Sequence, residues 1–308
     1  MSTIITLNMN PAIDKSTSTE HVIAERKLYC GHASYEPGGG GVNVSRAIKK
    51  LGGDSKLIYP AGGMSGRMLY ELLDKQGVEQ QQIPVAGITR ENLIVLEQAT
   101  GRQFRFGLPG PELGREEWDM CLDAVSRTTP VPEFIVASGS LPLGVPSDFY
   151  ARVARIGKKM GARVIIDTSG KALAQALDEG VYLVKPNVRE FKDLAGESIS
   201  EESQICEAAR QMVHEGKSEV MLISLGAAGA LLVTRDSAEH IVPPTVPILS
   251  KVGAGDSMVA GIVLSLSNGK GLREAALYGI AAGSAAVMTP GTELCRKEDT
   301  ERIYAKML

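Results

Sequence analysis

The chain has 308 residues, 44% of them hydrophobic and 22% charged, with a formal net charge of −3. That composition belongs to a folded globular protein, excludes a disordered one, and supplies a core that needs no disulfide or metal staple. The slight acidity offers no basic face to a nucleic-acid backbone, so any anionic substrate must be drawn in by a local cluster of cations.

In chain order, Ile4 to Met9 is a short β-prone opening, followed from Ser16 to Glu36 by a polar, β-prone stretch with no helical face. Val44, Ile48 and Leu51 then fall at helical spacing, and Lys56 to Tyr59 is again extended. Asn92–Gln98 and Arg102–Phe106 read as two strands meeting at Thr100-Gly101, a hairpin signal. Further strands are expected at Phe134–Ala137, Arg163–Asp167, Tyr182–Val184, Val220–Ser224 and Ala230–Val233. Helices are expected at Phe149–Met160 and Glu202–His214, and the Ala- and Gly-rich chain from Asp256 onward predicts two closely packed helices. This alternation is the pattern of an α/β fold with a mostly parallel sheet covered by helices. The segments that break it, about 15–36 and 88–108, predict a small discontinuous β lid on a single domain spanning 1–308.

Cys30, Cys121, Cys206 and Cys295 are far apart, and the four histidines lack ligand spacing, so a structural zinc is not expected. The opening MSTIITLNMN has neither the basic nor the apolar part of a signal peptide, and no run approaches the ~18 apolar residues of a membrane span. The expectation is a cytoplasmic protein without membrane or nucleic-acid partners.

The most informative stretch is Lys251-Val-Gly-Ala-Gly-Asp-Ser257, leading into a small-residue helix. Successive small residues at Gly253, Ala254 and Gly255 let backbone N–H groups converge at a helix N-terminus, an arrangement that binds phosphate. Asp256 in such an anion hole can accept the proton of a hydroxyl attacking a phosphoryl group, and the helix dipole is expected to lower its pKa. Alone, it reads equally as a cap after a glycine turn. Gly38 to Gly41 removes side chains where a ligand would approach backbone, and Asn43 follows in the first helical turn. A dinucleotide-binding loop is disfavoured because the next strand ends Tyr59-Pro60-Ala61 with no acid for a ribose. Gly216-Lys217-Ser218 imitates the end of a P-loop, but Gln211 stands where the first glycine belongs.

Asn10-Pro11-Ala12-Ile13-Asp14, Gly38 to Asn43, Lys185-Pro186-Asn187 with Glu190, Ser224-Leu225-Gly226 with Gly229, and Gly253 to Asp256 follow one another in a known order. Together they resemble the ribokinase-like, PfkB-type carbohydrate kinases over nearly the whole chain. The resemblance implies a three-layer α/β/α fold with a β lid, and an activity that moves the ATP γ-phosphate to the 1-hydroxyl of fructose 6-phosphate. It implies Asp256 as base in the anion hole, and Asp14, Gly38, Gly39 and Asn43 at the sugar. Lys27, Arg90 and Arg105 would grip its phosphate, with Ser138 nearby. Ser224, Gly226, Gly229 and Ser284 would line the nucleotide, with Lys185 and Asn187 near its phosphates and Glu190 holding Mg²⁺ through water. A K⁺-type cation would sit at Ser250, Val252, Ala286, Thr289 and Gly291, although Thr289 and Glu293 depart from the related pattern. A homodimer through the lid is also implied. Tagatose 6-phosphate and fructose 1-phosphate are the alternative substrates, and a non-catalytic sugar-phosphate sensor is the alternative from another class.

Overall fold

The computed structural model describes residues 4–196, 199 and 201–308. The first part runs β1 (Ile4–Leu7), β2 (Ala12–Thr19), β3 (Ser34–Gly38), α1 (Gly40–Lys50), β4 (Lys56–Ala61), α2 (Gly63–Lys75), β5 (Glu79–Pro84), β6 (Arg90–Glu97) and β7 (Gln103–Phe106). The middle runs α3 (Arg115–Ser126), β8 (Phe134–Ser138), α4 (Phe149–Met160), β9 (Arg163–Asp167), α5 (Gly170–Asp178), β10 (Val181–Val184) and α6 (Val188–Ala195). The last part runs α7 (Glu202–His214), β11 (Ser218–Ser224), β12 (Ala230–Val233), β13 (Ala238–Ile241), α8 (Ala254–Ser267), α9 (Leu272–Val287) and α10 (Lys297–Ala305).

Nine strands form one sheet in the order β13-β12-β11-β10-β9-β8-β1-β4-β5. The pairings from β5 across to β11 are parallel, and β12 and β13 close that edge with antiparallel pairings. Central strands such as β1 and β8 are buried throughout, as a parallel sheet covered on both faces requires. Alternate residues feed opposite cores. Phe134 and Val136 pack with α1, α8, α9 and α10, while Ile135 and Ala137 pack with α3, α4, α5 and α7. The Ala/Gly composition of α8 and α9 reflects close approach: a Cβ on Gly261 would stand 2.9 Å from the Cα of Gly279.

A separate four-stranded sheet has the order β3-β2-β6-β7. Its outer pairs are antiparallel, but β2 and β6 run parallel in register from Ala12↔Arg90 to Thr19↔Glu97. The sheet starts three residues before the expected boundary, because Ala12, Ile13 and Asp14 already pair with both neighbours. Residues 20–33 carry no strand, and a backbone bond from Gly31 N to Ser18 O (2.8 Å) ties that loop to β2. β5 was not expected. Its sequence EQQQIP is polar, and it enters the sheet as an edge strand against β4. Among the described residues no helix is long and apolar enough to cross a membrane.

Candidate active site

The loops that follow β1, β8, β9, β10 and β11 gather at the carboxyl edge of the parallel sheet, where α/β folds bind ligands. The N-terminus of α8 lies among them. Gly253 takes the left-handed conformation (φ +73°) that starts this helix, and a Cβ there would stand 2.2 Å from Leu294 Cδ2. The Lys185 ammonium reaches the same helix end, 3.2 Å from where a Gly255 Cβ would be, and pairs with Asp167 Oδ1 at 3.2 Å. Oriented amides and a buried cation together make an anion site. Burial pulls the Lys185 ammonium down, but Asp167, Glu190 and Asp256 outweigh it and the net shift is upward.

Asp256 stands in the first turn of α8, with part of its surface open to the cleft, and its Oδ2 accepts from Asn43 Nδ2 at 2.8 Å. Burial, then the carboxylate of Asp167, push its pKa up to about 7, against the lowering effect of Asn43 and Lys185. This reverses the expectation drawn from the helix dipole: withdrawal from water dominates. The result is a carboxylate whose basicity suits proton transfer near neutral pH.

The small sheet supplies the other wall. Asp14 on β2 is buried and accepts from Asn92 Nδ2 at 2.7 Å. Burial raises its pKa, with Asn92, Arg46 and Arg90 opposing. Gly38 and Gly39 are required by close approach. A Cβ on Gly38 would be 2.5 Å from Asp14 Oδ2, and one on Gly39, at φ +111°, would be 2.8 Å from Asn8 Nδ2. Ser138 ends β8 almost fully buried, its Oγ lying against Gly40. Arg90 is braced by bonds to Asn10 O (3.0 and 3.3 Å), Leu108 O (3.3 Å) and Asn92 Oδ1 (3.2 Å). The pairings Asp14↔Asn92 and Ile94↔Arg105 put Asp14, Arg90, Asn92 and Arg105 on one face of the sheet. Arg105 is exposed and lines a cavity of about 480 Å³ with Gln103, Ile248, Leu249, Ser250 and Lys251. Lys27 lies on the exposed 20–33 loop with its ammonium 5.3 Å above the Tyr29 ring. Among the described residues no hydrogen bond or ion pair joins it to this group.

Beyond Lys185, Asn187 and Glu190 form a reciprocal capping box at the start of α6, both bonds at 2.9 Å. A bridge between Asn187 and Ser224 joins the loops after β10 and β11. Gly226 and Gly229 both take positive φ (+64° and +94°), and Gly229 approaches Ile241 O too closely for any Cβ. Ser284 Oγ bonds its own helix at Ile280 O (2.8 Å). Among the described residues no three His, Cys, Asp or Glu side chains cluster as a metal site. A single carboxylate such as Glu190 fits Mg²⁺, which keeps its waters and binds through substrate phosphates and one or two carboxylates. The five positions expected for a monovalent cation lie just before α8 and around the end of α9. The Ala286 carbonyl already accepts from Thr289 N (3.2 Å) and Thr289 Oγ1 (2.8 Å). Gly291 takes φ +59°, and Ser250 Oγ accepts from Val252 N at 3.2 Å.

Sequence reasoning did not single out Asn92, Asp167 or Arg46. Asn92 follows Arg90 by two residues and therefore shares its face, a signal that period-two alternation carries. Arg46, within α1, reads as an ordinary polar helical position.

The profile of the pfkB family carbohydrate kinases matches residues 5–299. An ATP-dependent 6-phosphofructokinase isozyme 2 of Mycobacterium tuberculosis is 44% identical over 301 residues, covering 98% of this chain and 88% of that one. The phosphofructokinase-2 of Escherichia coli superposes, in its complex with potassium, with a TM-score of 0.96 at 40% identity, covering 100% of this chain and 99% of that one. Its complex with fructose-6-phosphate gives 0.94 at 39% identity with the same coverage. The E. coli protein is also described in a tetrameric inhibited form, with TM-score 0.94, 39% identity and the same coverage.

Proposed function

Because the chain belongs to the pfkB family of carbohydrate kinases, we propose that it transfers the γ-phosphate of ATP to the 1-hydroxyl of fructose 6-phosphate, giving fructose 1,6-bisphosphate and ADP. One observation carries the chemistry: a carboxylate with a pKa of about 7 stands in the first turn of a helix whose N-terminus also receives a buried lysine. Asp256 takes the proton of the attacking hydroxyl, while the N–H groups of Gly253, Ala254 and Gly255 and the Lys185 ammonium stabilise the charge on the phosphoryl group in flight. Asp14, Gly38, Gly39 and Asn43 hold the sugar hydroxyls beside Ser138. Arg90, Arg105 and Lys27 bind the sugar's own phosphate through charge-assisted bonds. The need for such a clamp, and the fructose-6-phosphate complex of the E. coli relative, favour a phosphorylated hexose over a free sugar.

Ser224, Gly226, Gly229 and Ser284 line the nucleotide, with Asn187 near its phosphates. Mg²⁺, held through water by Glu190, supplies charge neutralisation on those phosphates when bound. A monovalent cation would be held by the backbone around Ser250, Val252, Ala286, Thr289 and Gly291, a reading that the potassium complex of the E. coli relative supports. The small sheet, with its connecting loops at about 15–36 and 88–108, serves as the lid of a single domain. Its exposed Ile23, Tyr29, Leu96 and Phe106 suit contact with a second copy. A light-scattering mass of two chains is expected; four would match the inhibited E. coli form.

The test is ADP release from ATP–Mg²⁺ with fructose 6-phosphate, fructose 1-phosphate, tagatose 6-phosphate and ribose in parallel, with Asp256→Asn as control. Highest kcat/KM on fructose 6-phosphate, abolished in the control, is the expected result. A preference for another of these sugars overturns the substrate while keeping the chemistry. Binding without turnover on all four would mark a sensor.

A further inference from the structure

Arg46 of α1 is one of the largest fully buried side chains of the molecule, at 2% exposure, and all three of its guanidinium nitrogens are engaged. Nε donates to Gln76 Oε1 at 2.8 Å. Nη1 donates to Pro37 O (2.8 Å), Asn43 Oδ1 (3.2 Å) and Thr292 O (3.3 Å), and Nη2 lies 3.5 Å from Glu36 Oε1. Glu36 in turn accepts from Thr292 Oγ1. A buried arginine therefore joins the start of the glycine run, the small sheet and the 288–293 loop, and it touches Asn43, the partner of Asp256.

Asn43 has one accepting end and one donating end, and its neighbours dictate which way round it lies. Arg46 can only donate, so Oδ1 faces the guanidinium and Nδ2 faces Asp256. We propose that Arg46 is a positioning residue for phosphoryl transfer: by holding the carbonyl of Asn43 it keeps the amide on Asp256, and so keeps Asp256 in the deprotonated form that accepts the substrate's proton. Without Arg46 the Asn43 side chain is free to turn its carbonyl toward Asp256. That arrangement suits the protonated acid, which would donate to Oδ1 and has no capacity left to take a proton. The inference rests on the reading of Asp256 as the base.

The charged groups facing Asp256 are Asp167 at the end of β9, Lys185 after β10 and Asp14 on β2, with Arg46 coupled to it from α1. Arg46 itself also faces Glu36 on β3 and Asp14. Variants at position 46 also remove the charge that lowers the Asp14 pKa, so the Asn43→Ala background is what separates the held amide from the arginine's charge.

The experiment is the pH profile of kcat/KM for ATP-dependent phosphorylation in wild type, Arg46→Met, Arg46→Lys, Asn43→Ala and the Asn43→Ala/Arg46→Met double variant, with near-ultraviolet circular dichroism to confirm folding. In Arg46→Met the acid limb should move up by about one pH unit, the size of effect expected when a carboxylate loses such a partner. Arg46→Lys keeps the charge but not the fork, and should move the limb in the same direction by less. In the Asn43→Ala background, Arg46→Met should add little further shift, because the two act in series. An acid limb that stays put in Arg46→Lys and in any folded Arg46→Met, with activity lowered equally at every pH, overturns the proposal. If Arg46→Met does not fold, Arg46→Lys decides alone. Wild-type rates in Asp256→Asn would instead sink the base assignment; an inactive Asp256→Asn beside unmoved Arg46 profiles sinks only the role given to Arg46.

Discussion

On the floor of the cleft Asn43 links Asp256 to the buried Arg46 by hydrogen bonds, and the buried Lys185 pairs with Asp167. Opposite them, Lys27 on the 20–33 loop and Arg105 on the small sheet are exposed and have no carboxylate partner among the described residues. The floor has to be correct before ATP arrives, since a dipole that must reorient during reaction loses its advantage over water. Burying its charges is unfavourable unless each is matched: Lys185 has Asp167 and Arg46 has Glu36, whereas Asp256, beside the Asp167 carboxylate, keeps a raised pKa. The roof works the other way: a solvated cation gains a strong partner only when a phosphate binds. Damage to the floor should therefore appear in kcat, and damage to the roof in KM.

Asp256→Asn should give the largest effect, a fall in kcat of roughly 10²–10⁴-fold, with sugar-phosphate binding kept. Steady-state kinetics together with calorimetric titration of the sugar phosphate check it; a weakened binding constant with kcat intact would break the division between floor and roof. Next, Arg105→Ala should raise KM for the sugar phosphate roughly ten- to a hundredfold with little change in kcat, the loss of one bond to a charged group. An equal fall in kcat would place Arg105 with the floor.

The third test concerns stability. Asp256 has a folded-state pKa of about 7, above its ordinary 3.8, so its ionisation opposes folding as pH rises. The stability is intact below the ordinary value and is lost progressively up to pH 7. Asp256→Asn should therefore melt several degrees above wild type at pH 8, and the gain should shrink as the pH is lowered from 7 toward 4, as read by thermal unfolding across that range. The smallest effect is expected from Lys27→Ala. An exposed cation resting on Tyr29 should change KM only about two- to fivefold, and less in high salt.

Much of this site is written in residues whose chemistry is local. Gly253, Gly38 and Gly39 are legible because a left-handed turn or a close approach admits no side chain, and that need survives in a linear reading. Asn187 and Glu190 are legible as a helix start for the same reason. What escaped depends on tertiary contact. The direction of the Asp256 shift was misjudged because the dipole is a property of the helix, whereas burial is a property of the whole fold. Arg46 is polar in an amphipathic helix, and nothing in its neighbours along the chain says that it points inward to Glu36. Strand β5 was missed because Ile83 is its one buried residue and the rest of EQQQIP carries no apolar pattern. The boundary of the small sheet slipped because β2 pairs with β6, a partner too distant for any hairpin signal.

That distant pairing bears on how the protein is made. Asp14 and Asn92 meet across 78 residues of chain, so β2, although it can pair with β3, leaves the ribosome long before β6 and must wait with one edge open. By the time Phe106 has emerged every strand of the roof is present, yet β8, the neighbour of β1 at the heart of the large sheet, has not emerged. At ordinary elongation speeds the roughly 150 residues from Phe106 to Asp256 occupy about 8–30 s. Throughout that interval the nascent chain carries the strands of the small sheet without the helix that bears Asp256, and its open β edges are those a chaperone would be expected to cover first.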